Sequence, residues 1–212
     1  MVRATLWTIA VVVWASASAL CFARLWKYEA AAGPAARSPT AWPQDTSVLQ
    51  ERGLPTLILL MHPKCPCSRA TVEELAKLMS HAQGRLVARV LMIRPDGVAK
   101  FWERTDLWQT AAAIPGVTVV ADAQGSESRR FGAATSGQAL LYSPDGRLLF
   151  AGGITGSRGH SGDNEGRSLV LALVRAEIIP TAAEPPQTPV YGCPLFAESF
   201  ACQPDGTGPC RK

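Results

Sequence analysis

The segment Leu54-Pro55-Thr56-Leu57-Ile58-Leu59-Leu60-Met61 is a continuous apolar run that stops at His62-Pro63-Lys64-Cys65-Pro66-Cys67. A run of this kind, with no polar alternation, is the pattern of a strand buried on both faces, and hence of a parallel or mixed sheet covered on each side. Directly after it Val72, Leu75, Leu78 and Met79 recur at helical spacing, Glu73, Glu74 and Lys77 take the other face, and Gly84 stands where a C-cap is expected. Strand, cysteine-bearing loop and helix follow one another without a spacer. Both thiols are therefore expected at the end of a buried strand and the start of a helix.

The remaining apolar segments extend this unit. A second strand, Leu86 to Ile93, stops at Arg94-Pro95-Asp96-Gly97, and a helical stretch with Phe101, Trp102, Leu107 and Trp108 runs to about Ala113. Strand, helix and strand at this length imply a parallel pair joined by a right-handed crossover. Val117 to Ala121 is strand-like, and a polar connection leads to Phe131-Gly132. Gln138–Tyr142 and Arg147–Ala151 flank Ser143-Pro144-Asp145-Gly146, whose Pro and Gly stand where a tight turn wants them, so an antiparallel hairpin is expected. A last helix is expected over about Ser168 to Ile178, on Leu169, Leu171, Val174 and Ile178. The fold class is α/β: a mixed sheet flanked by helices.

The ends differ in composition from the middle. Between Arg3 and Arg24 the stretch Ala4 to Ala23 is uncharged, and about 20 such residues span a hydrocarbon core as a helix. Residues 1–27 are accordingly expected to be a membrane anchor or signal segment. Ala15-Ser16-Ala17-Ser18-Ala19 has the small residues of a cleavage site, but the apolar run continues past it and Trp26 suits the interface, which favours an uncleaved anchor. Residues 28–52, with Pro34, Pro39 and Pro43, form an Ala/Pro-rich tether by composition, ahead of a domain over 53–180. Residues 181–212 are a Pro/Gly/Cys tail carrying Cys193, Cys202 and Cys210. Flanking charges do not set the orientation, with Arg3 on one side and Arg24 and Lys27 on the other. Clustered cysteines suit an oxidising compartment, so the domain is expected in the periplasm, single-pass from a bacterial inner membrane. The 21 Lys and Arg against 17 Asp and Glu of the 212 residues form no basic block, and nucleic acid is excluded as a partner.

Over roughly residues 53–179 the sequence resembles the thioredoxin superfamily, on the cysteine pair between strand and helix and on Phe131-Gly132-Ala133 leading into the hairpin with Asp145-Gly146 at its turn. Membrane-tethered thioredoxins of bacterial envelopes look similar over the same stretch. Met61-His62-Pro63-Lys64-Cys65-Pro66-Cys67-Ser68-Arg69 and Gly152 to His160 further resemble a small RedB-like group. The resemblance implies a thioredoxin-like fold and thiol–disulfide exchange. Two departures stand out: one residue, Pro66, separates Cys65 and Cys67 where the superfamily has two, and Ser136-Gly137 aligns with its cis-proline position.

A helix N-terminus stabilises a thiolate, so Cys65, as N-cap with Pro66 at the first helical position, is expected to attack, and Cys67 to resolve the mixed disulfide; the reverse assignment stays open. His62 and Lys64 add polar and positive groups. In a sheet of this kind the loop Gly152 to Gly166 returns to the cysteine edge, which makes Arg158 and His160 supporting residues. Cys202 and Cys210 are expected to pair, leaving Cys193 as a third thiol, with a Cys193–Cys202 bridge as the alternative. Thiol exchange needs no cofactor. Its partners would be cysteine-containing envelope proteins and a redox partner that regenerates the pair. Two other functions fit the same residues: a copper metallochaperone of this fold, with His62, Cys65, Cys67 and His160 as soft ligands, and a non-catalytic binding module. Neither Cys65 nor Cys67 stands three residues after a Thr, so peroxiredoxin chemistry is not expected, and without Cys-x-x-Cys-His neither is c-type haem.

Overall fold

A computed structural model of the protein describes residues 2–34, 37–176 and 185–196. The chain divides into two compact units, Met1–Ala31 and Ala32–Lys212. The first is one helix, α1 (Val2–Glu29), whose stretch Arg3–Glu29 is long and apolar enough to cross a membrane. It runs on past the Ala4–Ala23 segment because Arg24, Leu25, Trp26 and Lys27 are all good or neutral helix formers.

The second unit contains β1 (Thr56–Met61), α2 (Ser68–Ala82), β2 (Val87–Arg94), α3 (Asp106–Ala112), β3 (Val117–Ala123), α4 (Ser126–Arg130), β4 (Gln138–Tyr142), β5 (Leu148–Gly153) and α5 (Glu165–Val174). The sheet order is β3-β2-β1-β4-β5, with β1, β2 and β3 mutually parallel and β4 antiparallel to both β1 and β5. This is the mixed sheet that the resemblance implies. Every residue of central β1 is buried, as its unbroken apolar run requires.

Alternation along β1 feeds two cores. Leu57, Leu59 and Met61 face Val72, Leu75 and Leu78 of α2, together with Leu107 of α3 and Val170 of α5. Ile58 and Leu60 face the other way, toward Phe131, Tyr142 and Val48. Three helices thus cover one face. Among the described residues, the second face has the five-residue α4 and non-helical chain over it.

That chain includes residues 37–50, where composition alone points to a free tether. Ala41 bridges Arg147, Trp42 N–H donates to the Gly146 carbonyl at 2.7 Å, and Leu148 N–H donates to that of Thr40 at 2.8 Å. The Trp42 ring packs edge-on against Phe131 and Tyr142 at centroid distances of 5.4 and 5.2 Å. Prolines suit such a strap because it lies as an extended edge segment. The predicted last helix begins earlier than expected, at Glu165, because Asn164 caps it by accepting the Arg167 N–H at 2.8 Å; its expected end, Ile178, lies outside the described residues.

Residues 185–196 run back over the domain. Ala151 N–H donates to the Pro186 carbonyl and Thr188 Oγ1 to that of Gly153, covering the free edge of β5. Farther on, Leu195 N–H donates to the Ala134 carbonyl at 2.8 Å and its side chain is buried in the second core. Cys202 and Cys210, with their expected pairing, lie outside the described residues.

Candidate functional site

β1 ends at Met61, and tight turns follow. Cys65 N–H donates to the His62 carbonyl at 3.1 Å, Ser68 N–H to that of Cys65 at 3.1 Å, and Arg69 N–H to that of Pro66 at 3.4 Å. These are three-residue steps, narrower than an α-turn, so the regular helix starts only at Ser68. Its N-cap is Cys67, with φ −66° and ψ −25°, and not Cys65. Cys65 therefore sits in the turn just ahead of the helix.

Cys65 and Cys67 are both buried, at 4% and 6% exposure. The third thiol comes from far along the chain: Cys193 Sγ is hydrogen-bonded to Cys65 Sγ at 3.1 Å, and the Sγ atoms of Cys65, Cys67 and Cys193 all lie within 4.8 Å of one another. All three are free thiols.

Their acidities diverge. Burial raises the Cys65 pKa, but hydrogen bonds from the Cys193 thiol and backbone, from Ser68 and from the Cys67 backbone outweigh it, and the net result is below the usual thiol value. Cys67 is pushed up by burial and then by the neighbouring Cys65 charge. Cys193 is pushed up to about 12 by burial and by its hydrogen bond and proximity to Cys65. Arg158 opposes the rise at both Cys67 and Cys193. Of the three thiols, Cys65 is the one whose ionisation is favoured.

Ser136 ties the site together. Its Oγ accepts the His62 N–H at 2.8 Å and shares a 2.9 Å hydrogen bond with Ser68 Oγ, and its N–H donates to the Cys193 carbonyl at 2.8 Å. Gly137 follows with φ +94°, its N–H donating to the Leu60 carbonyl, and a Cβ there would stand 3.1 Å from Thr71 Oγ1. A glycine is required by that backbone angle.

The other expected residues fall into two groups. Arg158 belongs to the site, its Nη1 donating to the Gly192 carbonyl at 2.6 Å. His62 sits under the loop, its pKa lowered by burial and then by Lys64; its ring meets Trp102 edge-on at 5.6 Å, and its Nδ1 accepts the Lys64 N–H at 3.2 Å. Lys64 places its ammonium 4.4 Å over the Trp102 ring. His160 is exposed and bonds the Arg158 carbonyl through Nδ1. Among the described residues the cluster of ligand-type atoms is the three sulfurs, and neither histidine joins it. The rest of the Gly152–Gly166 loop is fixed by buried Glu74, which accepts the Gly162 N–H at 2.8 Å and pairs with Arg167 at 2.7 Å. Ser68 and Trp102 are contributors that residue type alone does not reveal. The signal for Ser68 is its place at the first helical position.

Beside Cys65 a groove of about 310 Å³ is lined by Pro63, Pro66, Arg69, Thr105 and Asp106. Cys65 itself is part of its lining. A thiol of lowered pKa, two further thiols and a groove are parts that disulfide exchange can use; three converging sulfurs also suit a soft cation.

No protein-family model and no curated protein matches the chain. Among solved structures, a hypothetical protein from Sinorhizobium meliloti 1021 is similar at TM-score 0.55 and 20% identity, over 76% of this chain and 96% of that one. An uncharacterized conserved protein from Geobacillus kaustophilus is similar at TM-score 0.54 and 16% identity, over 82% and 94%. A secreted disulfide oxidoreductase of Mycobacterium tuberculosis, homologous to E. coli DsbE, is similar at TM-score 0.42 and 16% identity, over 59% and 83%.

Proposed function

We propose that this chain, which has the thioredoxin-like fold, is a membrane-anchored thiol–disulfide oxidoreductase of the bacterial periplasm, with Cys65 as its nucleophile. The observation that carries this reading is the Cys65 sulfur: it stands ahead of a helix N-terminus, beside a groove, 3.1 Å from a second thiol, with an acidity raised above that of its neighbours. The α2 dipole and the Ser68 hydroxyl stabilise its thiolate, and Ser136 holds the turn that presents it. Its substrates are disulfides of envelope proteins, and a redox partner returns the site to its starting state. The test is reduction of a disulfide-bonded fluorogenic peptide by the full chain in detergent. Cys65→Ser is expected to lower the rate at least 100-fold; retention of the wild-type rate overturns the assignment.

A second reading draws on the three sulfurs within 4.8 Å. As thiolates, Cys65, Cys67 and Cys193 would suit trigonal Cu(I), the metal being a cargo and not a resident group. Anaerobic competition against a chromophoric Cu(I) chelator separates the two: tight one-to-one binding abolished by Cys193→Ser, together with peptide reduction unaffected by Cys65→Ser, would make metal delivery the function.

A further inference from the structure

We propose that Cys193, and not Cys67, resolves the mixed disulfide on Cys65, so that the working disulfide of the protein is Cys65–Cys193. This rests on the thiol-exchange reading above. The Cys67 sulfur also lies within 4.8 Å of that of Cys65 and interacts with it, but a disulfide that spans a single residue closes a tight ring and is strained. The Ser68 and Arg69 amides are tied to the Cys65 and Pro66 carbonyls, so bridging Cys65 to Cys67 means opening that turn. Cys193 needs no such change: its sulfur is 3.1 Å from that of Cys65, and about 1 Å of further approach reaches bonding distance.

The approach of Cys193 is built. The Ser136 N–H holds the Cys193 carbonyl, and Arg158 holds that of Gly192. Gly192 itself lies so close to the Ser136 carbonyl oxygen that a Cβ would collide with it. Two residues after Cys193, Leu195, 4% exposed, pins the segment in the second core. A segment that only covered a strand edge would need none of the contacts around Gly192 and Cys193.

The chemistry balances as two exchanges. The Cys65 thiolate attacks one sulfur of a substrate disulfide, forming a Cys65–substrate bond and releasing the other substrate sulfur as a thiolate. Cys193 then loses its proton to solvent and attacks the Cys65 sulfur, forming Cys65–Cys193 and releasing the second substrate thiolate. The substrate gains two electrons and the cysteine pair loses two; a dithiol reductant returns them by the reverse exchanges. Electrostatics orders the steps. Before attack, burial together with the hydrogen bond and charge of Cys65 keep Cys193 protonated; once Cys65 is capped its charge is gone, while Arg158 still favours the Cys193 thiolate.

The experiment gives the reduced full chain in detergent one equivalent of an aromatic disulfide such as Ellman's reagent, with acid quenching and peptide mapping. Wild type and Cys67→Ser are both expected to yield a Cys65–Cys193 cross-linked peptide, whereas Cys193→Ser accumulates the aromatic adduct on Cys65 and clears it at least tenfold more slowly. A Cys65–Cys67 or Cys193–Cys202 bridge in wild type, or adduct accumulation in Cys67→Ser but not in Cys193→Ser, overturns the assignment; the wild-type map needs no variant to fold. Absence of any Cys65 adduct in every form would instead overturn the thiol-exchange reading itself.

Discussion

Three thiols within 4.8 Å cannot all ionise, since each thiolate raises the cost of the next, and the hydrogen bonds decide which goes first. Cys65 receives those bonds, first from Cys193 and then from Ser68. Rates of iodoacetamide labelling at Cys65 should therefore inflect lower than those of an ordinary thiol, while Cys193 labelling rises only toward about 12. Cys193→Ala should move the Cys65 inflection upward, and Ser68→Ala should move it upward by less. Equal, unshifted inflections in wild type and both variants would show that these contacts do not set the acidity. Gly137 is a second single-residue constraint. Its φ of +94° and the nearby Thr71 hydroxyl make Gly137→Ala costly by about 1–2 kcal/mol, read as a lower urea midpoint.

Among the elements, the clearest in the sequence are those whose partners are close along the chain. β1 and α2 follow from an apolar run and a 3.6-residue period, and the β4–β5 hairpin follows from its Pro-Asp-Gly turn. Residues 37–50 were illegible for the opposite reason: their burial rests on isolated side chains, Trp42 and Val48, with no periodicity, and their partners are near residue 127 and beyond. Cys193, by contrast, is legible as a third thiol from the cysteine count, although it stands 128 residues from the thiol that it meets. The join between the strap and α4 is testable. Glu127 accepts the Thr46 hydroxyl at 2.5 Å and the Ser47 N–H and hydroxyl at 3.2 and 2.9 Å, and pairs with Arg130 at 2.8 Å. Burial raises its pKa, but these bonds outweigh burial and hold it below the usual carboxylate value. A depressed folded-state pKa means stability that is present above the unfolded value, near 4.3, and lost as pH falls through the lower folded one. Glu127→Gln should lower the urea stability of the domain by roughly 2 kcal/mol at pH 7, and the gap to wild type should close below about pH 4. A gap that stays constant with pH would mean that the carboxylate charge plays no part in the join.

At the scale of the whole molecule, the chemistry proposed for the thiols depends on the compartment in which α1 leaves the domain. A 28-residue helix is about 42 Å long, more than the roughly 30 Å of a hydrocarbon core, so Trp26 and Lys27 can reach the interface while the apolar stretch is immersed. The charges at its two ends nearly cancel as orientation signals, and the proposed periplasmic side rests on the clustering of the cysteines, which suits an oxidising compartment. The full chain expressed in a bacterium should sediment with the inner membrane and resist carbonate extraction. In spheroplasts, protease added from outside should digest the domain. Full protection in intact spheroplasts, with digestion only after lysis, would place the thiols in a reducing compartment. Cys65–Cys193 would not persist there as a resting disulfide, and the exchange would then have to run on cytoplasmic reductant toward cytoplasmic substrates. Soluble protein beginning near Ser18 or Leu20 would leave the chemistry of the domain intact and remove only its attachment, because every residue of the thiol site lies in the second unit of the chain.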